Sequence, residues 1–256
     1  MENLTVEGFA IPGLADRIRQ WREQLKNGLG VVRLRALPVD EWGEELSSWA
    51  YWGLGRHLGT PGGQNPQGEL LGHVKDYRER NTTGRRYRTA GTLSMYCEAA
   101  DVVGLLCMTT AAEGGQSRIA SSVTIYNELL ARRSELVPRL FEPFPIDRRD
   151  EQGPGEAPTF LLAPATYDGT LRTFWHSEYI RSSPRHDIVD DYTDDEMALV
   201  ELHQAIATEP DIHLDMWLEP GDIQLISNHT VVHGRTAYVH DPANPRYLLR
   251  LWLSLD

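Results

Sequence analysis

Between Asp101 and Thr109 the chain runs Val102-Val103-Gly104-Leu105-Leu106-Cys107-Met108 without a polar side chain, and no other stretch limits the fold as tightly. At strand spacing such a run sends apolar side chains to both faces of a sheet, so both faces need cover. Helical signals lie upstream. Leu14, Ile18, Trp21 and Leu25 recur at helical spacing and Asn27-Gly28 and Gly30 stop them, which predicts an amphipathic helix over residues 13–27. Val31 to Leu37 reads as a strand ended by Pro38, and Asp40 opens a second helix reaching His57.

Downstream the pattern turns to β. The polar segment from Thr60 to Arg88 predicts loops, with one short strand at Leu70 to Val74. Ser117 to Val123 reads as a strand, Ile125 to Arg133 as a short helix, and Asp147 to Pro158 as a charged loop. Thr193 with Glu196 three residues on is a capping box, in which hydroxyl and carboxylate satisfy each other's backbone amides, and it starts a helix to Ala207. His213 to Leu218, Asp222 to Ser227 and Arg246 to Leu253 read as strands divided by Pro220-Gly221 and by the polar segment Asp241 to Pro245. Early helices and accumulating strands predict an α+β protein with a barrel or sandwich as its main β element.

A formal charge of -12, with the acidic residues spread along the chain, argues against a phosphate-backbone partner, so no nucleic acid is expected. No run of about 18 apolar residues occurs, and MENLTVEGFAIPG lacks the features of a signal peptide; no membrane partner and a cytoplasmic location are the expectation. Two cysteines, Cys97 and Cys107, are too few for a disulfide framework and read as buried thiols. At 256 residues, one domain over residues 1–256 is expected.

The densest motif is Pro220-Gly221-Asp222-Ile223-Gln224-Leu225-Ile226-Ser227-Asn228-His229-Thr230-Val231-Val232-His233-Gly234-Arg235, followed by Arg246-Tyr247-Leu248-Leu249-Arg250-Leu251-Trp252. With Trp52-Gly53-Leu54-Gly55, Gln64-Asn65, Leu70-Leu71-Gly72-His73-Val74, Asp101-Val102-Val103-Gly104 and Gly114-Gly115-Gln116-Ser117, it resembles the TauD/TfdA (taurine dioxygenase-like) family of iron(II)/2-oxoglutarate oxygenases, from about Gly28 to Leu253. The resemblance implies a double-stranded β-helix (jelly-roll) core flanked by helices, iron(II) and 2-oxoglutarate as cofactors, and a small-molecule substrate. It also implies that His233 is the distal metal-binding histidine and that Arg246 and Arg250 hold the 2-oxoglutarate carboxylate and a second acidic group. Guanidinium suits that role because it binds carboxylates bidentately. Four residues apart on a strand, the two arginines share one face and can both point into the barrel.

The first metal motif of the family, His-x-Asp, falls on Tyr96-Cys97-Glu98. Glutamate keeps the carboxylate charge, which leaves Glu98 and His233 as the metal ligands, whereas a phenol with a pKa near 10 is a poor iron(II) ligand. The segment Leu171 to Ile180, read as a strand, carries Phe174, Trp175 and His176 where the family places arginines. Trp175 and His176, with the loop residues Asn65 and His73, are the expected substrate contacts. Three activities remain open on this reading. The first is an oxygenase oxidising a small polar molecule at an atypical metal site. The second is an iron-independent elimination, cyclisation or isomerisation using Tyr96, Glu98 and His233 as acid and base groups. The third is a non-catalytic binder of small molecules.

Overall fold

The apolar run lies within a strand of eight residues, Val102–Thr109, in the computed structural model, which describes residues 3–65, 67–77, 90–239 and 241–255. This strand, β5, belongs to a six-stranded sheet with β1 (Val31–Leu34), β2 (Thr60–Pro61), β3 (Leu71–Val74), β13 (Ile223–Ser227) and β16 (Tyr247–Ser254). The order is β1-β13-β5-β16-β2, with β3 also paired to β16. A second sheet of β4 (Leu93–Tyr96), β7 (Ser117–Ser121), β12 (His213–Met216) and β14 (Val231–Arg235) has the order β12-β7-β14-β4. Both sheets are antiparallel throughout. Val103 and Ile226 of the first sheet share a buried cluster with Ile119 and Val231 of the second, so the sheets pack face to face as a double-stranded β-helix. Three short pairs complete the β structure: β6 (Glu113–Gly114) with β15 (Tyr238–Val239), β8 (Phe144–Asp147) with β9 (Thr159–Leu162), and β10 (Ala165–Tyr167) with β11 (Leu171–Thr173).

Strand parity decides what the larger sheet shows to each side. On β16, Leu249, Leu251 and Leu253 join the cluster formed by Ile18 and Leu25 of α1 (Ala15–Asn27) and by Tyr51, Trp52 and Leu58 of α2 (Val39–Leu58). Residues of the other parity, Leu248 and Arg250, line the space between the sheets, as does Arg246 just before the strand. The fully apolar β5 follows the same rule, with Val102 and Leu106 under the helices and Val103 and Leu105 inside. Gly104 lies on the helix side, where a Cβ would come within 2.5 Å of the Tyr51 hydroxyl, and its lack of a side chain lets α2 settle on the sheet.

Three further helices, α3 (Ser122–Arg132), α4 (Ser177–Ser182) and α5 (Asp194–Ala207), accompany the smaller sheet. Both halves of the α5 capping box form: the Thr193 hydroxyl accepts from the Glu196 amide at 3.3 Å and the Glu196 carboxylate accepts from the Thr193 amide at 2.8 Å. Some expected elements change. The strand predicted from Ser117 stops at Ser121, whose hydroxyl accepts from the Thr124 amide and caps α3. The strand predicted from Leu171 to Ile180 stops at Thr173, where the backbone amide and side chain both bond to His229 O, and the chain turns into α4. Part of the predicted loop at 60–88, namely residues 66 and 78–88, lies outside the described residues. Among the described residues no helix is long and apolar enough to cross a membrane.

Candidate active site

Register brings the chemistry together. β14 pairs with β4 so that His233 lies opposite Tyr96, with a register shift between His233 and Arg235. On its other edge Tyr96 bridges to His176, and the Cys97 amide donates to Trp175 O at 2.6 Å. Tyr96 therefore sits between two imidazoles, its ring centroid 4.6 Å from His233 and 5.0 Å from His176. The row ends on Tyr179, stacked on His176 at 3.5 Å and one turn further along α4.

Two residues beyond Tyr96, the Glu98 amide donates to Asn228 Oδ1 at 3.0 Å, which holds the carboxylate toward the interior. Glu98 Oε1 accepts from Arg250 Nη1 at 2.6 Å and from the Tyr96 hydroxyl at 3.3 Å, and Oε2 accepts from Trp252 Nε1 at 2.5 Å. Arg250 is fixed in turn: its Nε donates to Gln64 Oε1 at 2.6 Å, while Gln64 Nε2 donates to the backbone oxygens of Arg250 and Leu70. The side chains of Glu98 and Arg250 are 5% and 4% exposed, so this is a desolvated ion pair whose disruption without a replacement partner is costly.

Tyr96, Glu98 and Arg250 border two chambers. The inner one, about 40 Å³, holds His233, Arg235 and Arg246 among Val103, Leu105 and Leu248. Here the Arg246 guanidinium lies over the Tyr238 ring at 5.1 Å, and its Nη1 is buried without a hydrogen-bond partner among the described residues. Gly115, at φ +77°, lets it approach, because a Cβ there would stand 3.0 Å from Arg246 Nε. The outer chamber, about 270 Å³, is lined by His176, Tyr179, Phe160, Phe174, Arg148 and Arg149.

Burial sets the protonation states. It pushes the Tyr96 phenol well above its ordinary pKa, with the Glu98 carboxylate adding to the effect. It lowers His233, with the Glu98 charge opposing and Arg250 assisting. At neutral pH the site therefore holds a protonated phenol beside a neutral imidazole, whose Nδ1 has no hydrogen-bond partner among the described residues. Arg246, pushed down to about 10 by burial and by nearby Arg235, keeps its charge.

Of the residues singled out in the sequence, Tyr96, Glu98, His233, Arg246, Arg250 and His176 come together at these chambers. Three do not. Trp175 packs into the apolar core against His203, ring centroids 3.7 Å apart, because its alternation along the chain from His176 turns it inward. His73 pairs with Leu249 and so shares the helix-facing side of the sheet, where its Nδ1 meets the Tyr247 hydroxyl at 2.5 Å. Asn65 holds its own turn, accepting from the amides of Gln67 and Glu69. Four partners escaped the sequence reading: Gln64, Trp252, Arg235 and Tyr179. Trp252 has the parity of Arg246 and Arg250 and could have been found from it, and Tyr179 lies at helical spacing from His176. Among the described residues no group of three or more His, Cys, Asp or Glu side chains is placed to hold a metal ion.

Comparison with known proteins gives a consistent relationship. The chain is 32% identical over 247 residues to FR-33289 synthase of Streptomyces rubellomurinus, covering 93% of this chain and 73% of that protein. It is 24% identical to the taurine hydroxylase-like protein SAT17 of Stachybotrys chartarum, covering 97% and 67%. Among solved structures, an asparagine oxygenase in complex with Fe(II), 2S,3S-3-hydroxyasparagine and succinate superposes with a TM-score of 0.76 at 21% identity, over 97% of this chain and 83% of that one. The non-heme iron oxygenase OrfP in complex with Fe and alpha-ketoglutaric acid gives 0.69 at 17% identity, over 96% and 80%. Residues 2–252 match the taurine catabolism dioxygenase TauD, TfdA family as a whole, and the chain belongs to that family.

Proposed function

We propose that this protein is an iron(II)/2-oxoglutarate oxygenase-like enzyme that acts on a small polar molecule, with residues 1–256 as one domain and with an atypical metal site. The observation that carries the reading is the buried Arg246 guanidinium, with an unpartnered Nη1, in the inner chamber beside His233. One carboxylate of a diacid such as 2-oxoglutarate suits that guanidinium, because a desolvated guanidinium without a full set of acceptors gains strongly from a bidentate carboxylate. Met by a neutral imidazole and a carboxylate alone, iron fits less well. Tyr96 stands where a second imidazole is expected, and both oxygens of Glu98 are already hydrogen-bonded.

Bound together, the metal and cosubstrate would supply the oxidising chemistry; the chain's own residues supply binding, orientation and exclusion of water. Arg246 holds the far carboxylate of the cosubstrate. Arg250, bordering both chambers, faces an acidic group of the substrate in the outer one. Tyr96 stays a hydrogen-bond donor and, with His176 and Tyr179, walls the reacting region. The solved relatives carry hydroxyasparagine and hydroxyarginine. An outer chamber bearing Arg148, Arg149 and Arg250 with the acids Glu151 and Glu178 suits a small zwitterion of that kind.

Anaerobic titration of the protein with iron(II) and 2-oxoglutarate tests the reading, and a visible charge-transfer band on adding both is the expected result. Binding of 2-oxoglutarate by calorimetry with no band at millimolar iron would transfer the case to acid-base chemistry by Tyr96, Glu98 and His233.

A further inference from the structure

The chain leaves β8 at Asp147 and takes two left-handed steps in succession, with Arg149 at φ +57° and Asp150 at φ +64°. That backbone costs energy in any residue but glycine, so it persists only where its surroundings hold it. Asp147 supplies the hold. Its buried carboxylate accepts from the Arg149 amide at 2.8 Å and is itself fixed by Ser182 Oγ, Arg185 Nε and His186 Nε2. Arg185 Nη2 also donates to Asp150 Oδ1 at 2.7 Å. An extended strand would send neighbouring side chains to opposite sides, whereas here both Arg148 and Arg149 line the outer chamber.

Each guanidinium lies against a ring of the chamber wall, Arg148 over Phe160 at 5.0 Å and Arg149 over Tyr179 at 5.9 Å. Stacking of this kind covers the face of a guanidinium and keeps its N–H edge for an acceptor. Arg148 Nε is buried without a hydrogen-bond partner among the described residues. Its nearest carboxylate, Glu156, stands 3.6 Å from Nη1 on a half-exposed side chain, where an ion pair contributes little. Neither arginine borders the inner chamber: from Tyr96 the wall runs through His176 and Tyr179 before it reaches Arg149.

We propose that Arg148 and Arg149 form a distal anion subsite, so that the substrate carries an acidic group, carboxylate or phosphoryl, at the end remote from His233. The proposal deepens the function given above and rests on its placing of the substrate in the outer chamber. Glu151 and Glu178, which line the same chamber, then answer the ammonium of a zwitterion. The substrate class becomes a small amino acid with an acidic side group, one acid toward Arg250 and the other on the loop.

Phenylphosphonate, benzoate and neutral benzyl alcohol, titrated into the full chain and followed by ligand-detected nuclear magnetic resonance, test this. A cavity of about 150 Å³ holds benzene, so the ring fits the outer chamber of about 270 Å³ and not the inner one of about 40 Å³. At least one of the two anions is expected to bind about tenfold or more tightly than benzyl alcohol, and the tighter of them names the acidic group. Arg148→Gln and Arg149→Asn are each expected to lose most of that preference; asparagine tolerates the left-handed backbone at 149. A preference retained in both variants overturns the subsite. Should either variant fail to fold, the wild-type comparison stands by itself: equal binding of the three probes, or binding of none at millimolar concentration, overturns the subsite as well. Neither iron nor cosubstrate is present in these titrations, so their failure is distinct from the absence of a charge-transfer band.

Discussion

The rings of Tyr96 and His233 face each other across neighbouring strands with centroids 4.6 Å apart, so the residue that departs from the family pattern touches the residue that keeps it. His233 is buried and Tyr96 partly so, and the phenol is held protonated. Replacing Tyr96 with histidine puts a second neutral imidazole at this position and shortens the side chain. Manganese or iron(II) affinity is expected to rise about tenfold or more, since a third protein donor completes a facial set. Calorimetry on the purified variant reads this directly. An unchanged affinity would mean that the Glu98 and Arg250 pair, rather than the missing imidazole, limits metal binding.

Arg246 yields a second prediction that does not depend on metal. Arg246→Lys keeps the charge but loses the planar pair of donors, and lysine is a poorer partner for a carboxylate in a dry site. Affinity for 2-oxoglutarate or succinate is expected to fall about tenfold to a hundredfold, with thermal stability little changed. A variant that binds either diacid as wild type does would remove Arg246 from the site.

Features written in local patterns were legible in the sequence. Helix α1 with its glycine stop, the capping box of α5 and the fully apolar β5 all depend on residues within a turn or a strand of each other. The shared parity of Arg246 and Arg250 was equally local, and both line the interior. Strands β8 to β10 were not legible, because they are only three or four residues long, and β9 and β10 are also partly exposed, as Leu161 at 69% illustrates. The placements of Trp175 and His73 required register, which no single segment carries. The contact that organises the site joins Glu98 and Arg250 across 152 positions, and nothing near either residue announces the other.

Acid stability supplies a third prediction. Burial lowers His203 to about 3 and also lowers His233, against an ordinary value near 6.5. Below pH 6.5 the unfolded chain takes up protons at these positions while the folded chain stays neutral there. Folding stability is therefore full above that pH and falls as the pH drops below 6.5, for His203 down toward about 3 and by up to about 1.4 kcal/mol per unit, with His233 contributing in the same direction. His203→Phe keeps a ring against Trp175 and removes the titrating group. Urea midpoints between pH 4 and 7 are expected to depend less steeply on pH in this variant, and an identical slope would place the titration elsewhere.

The approach of α2 to the larger sheet gives the last. A Cβ at Gly104 would lie 2.5 Å from the Tyr51 hydroxyl and 3.1 Å from Leu225 Cδ2, both in a fully packed region. Gly104→Ala must therefore push Tyr51 or the helix outward, an overpacking cost of about 1–3 kcal/mol. Because the closest atom is the hydroxyl, Tyr51→Phe in the same chain makes room at the tightest point and leaves the Leu225 contact, which is close but longer. Stability of the double variant is expected to exceed the sum of the two single effects by about 0.5–2 kcal/mol, the signature of two residues sharing one space. Denaturant unfolding of the four proteins measures that coupling. Strict additivity would show that α2 yields as a unit and that Gly104 does not set how closely it approaches β5.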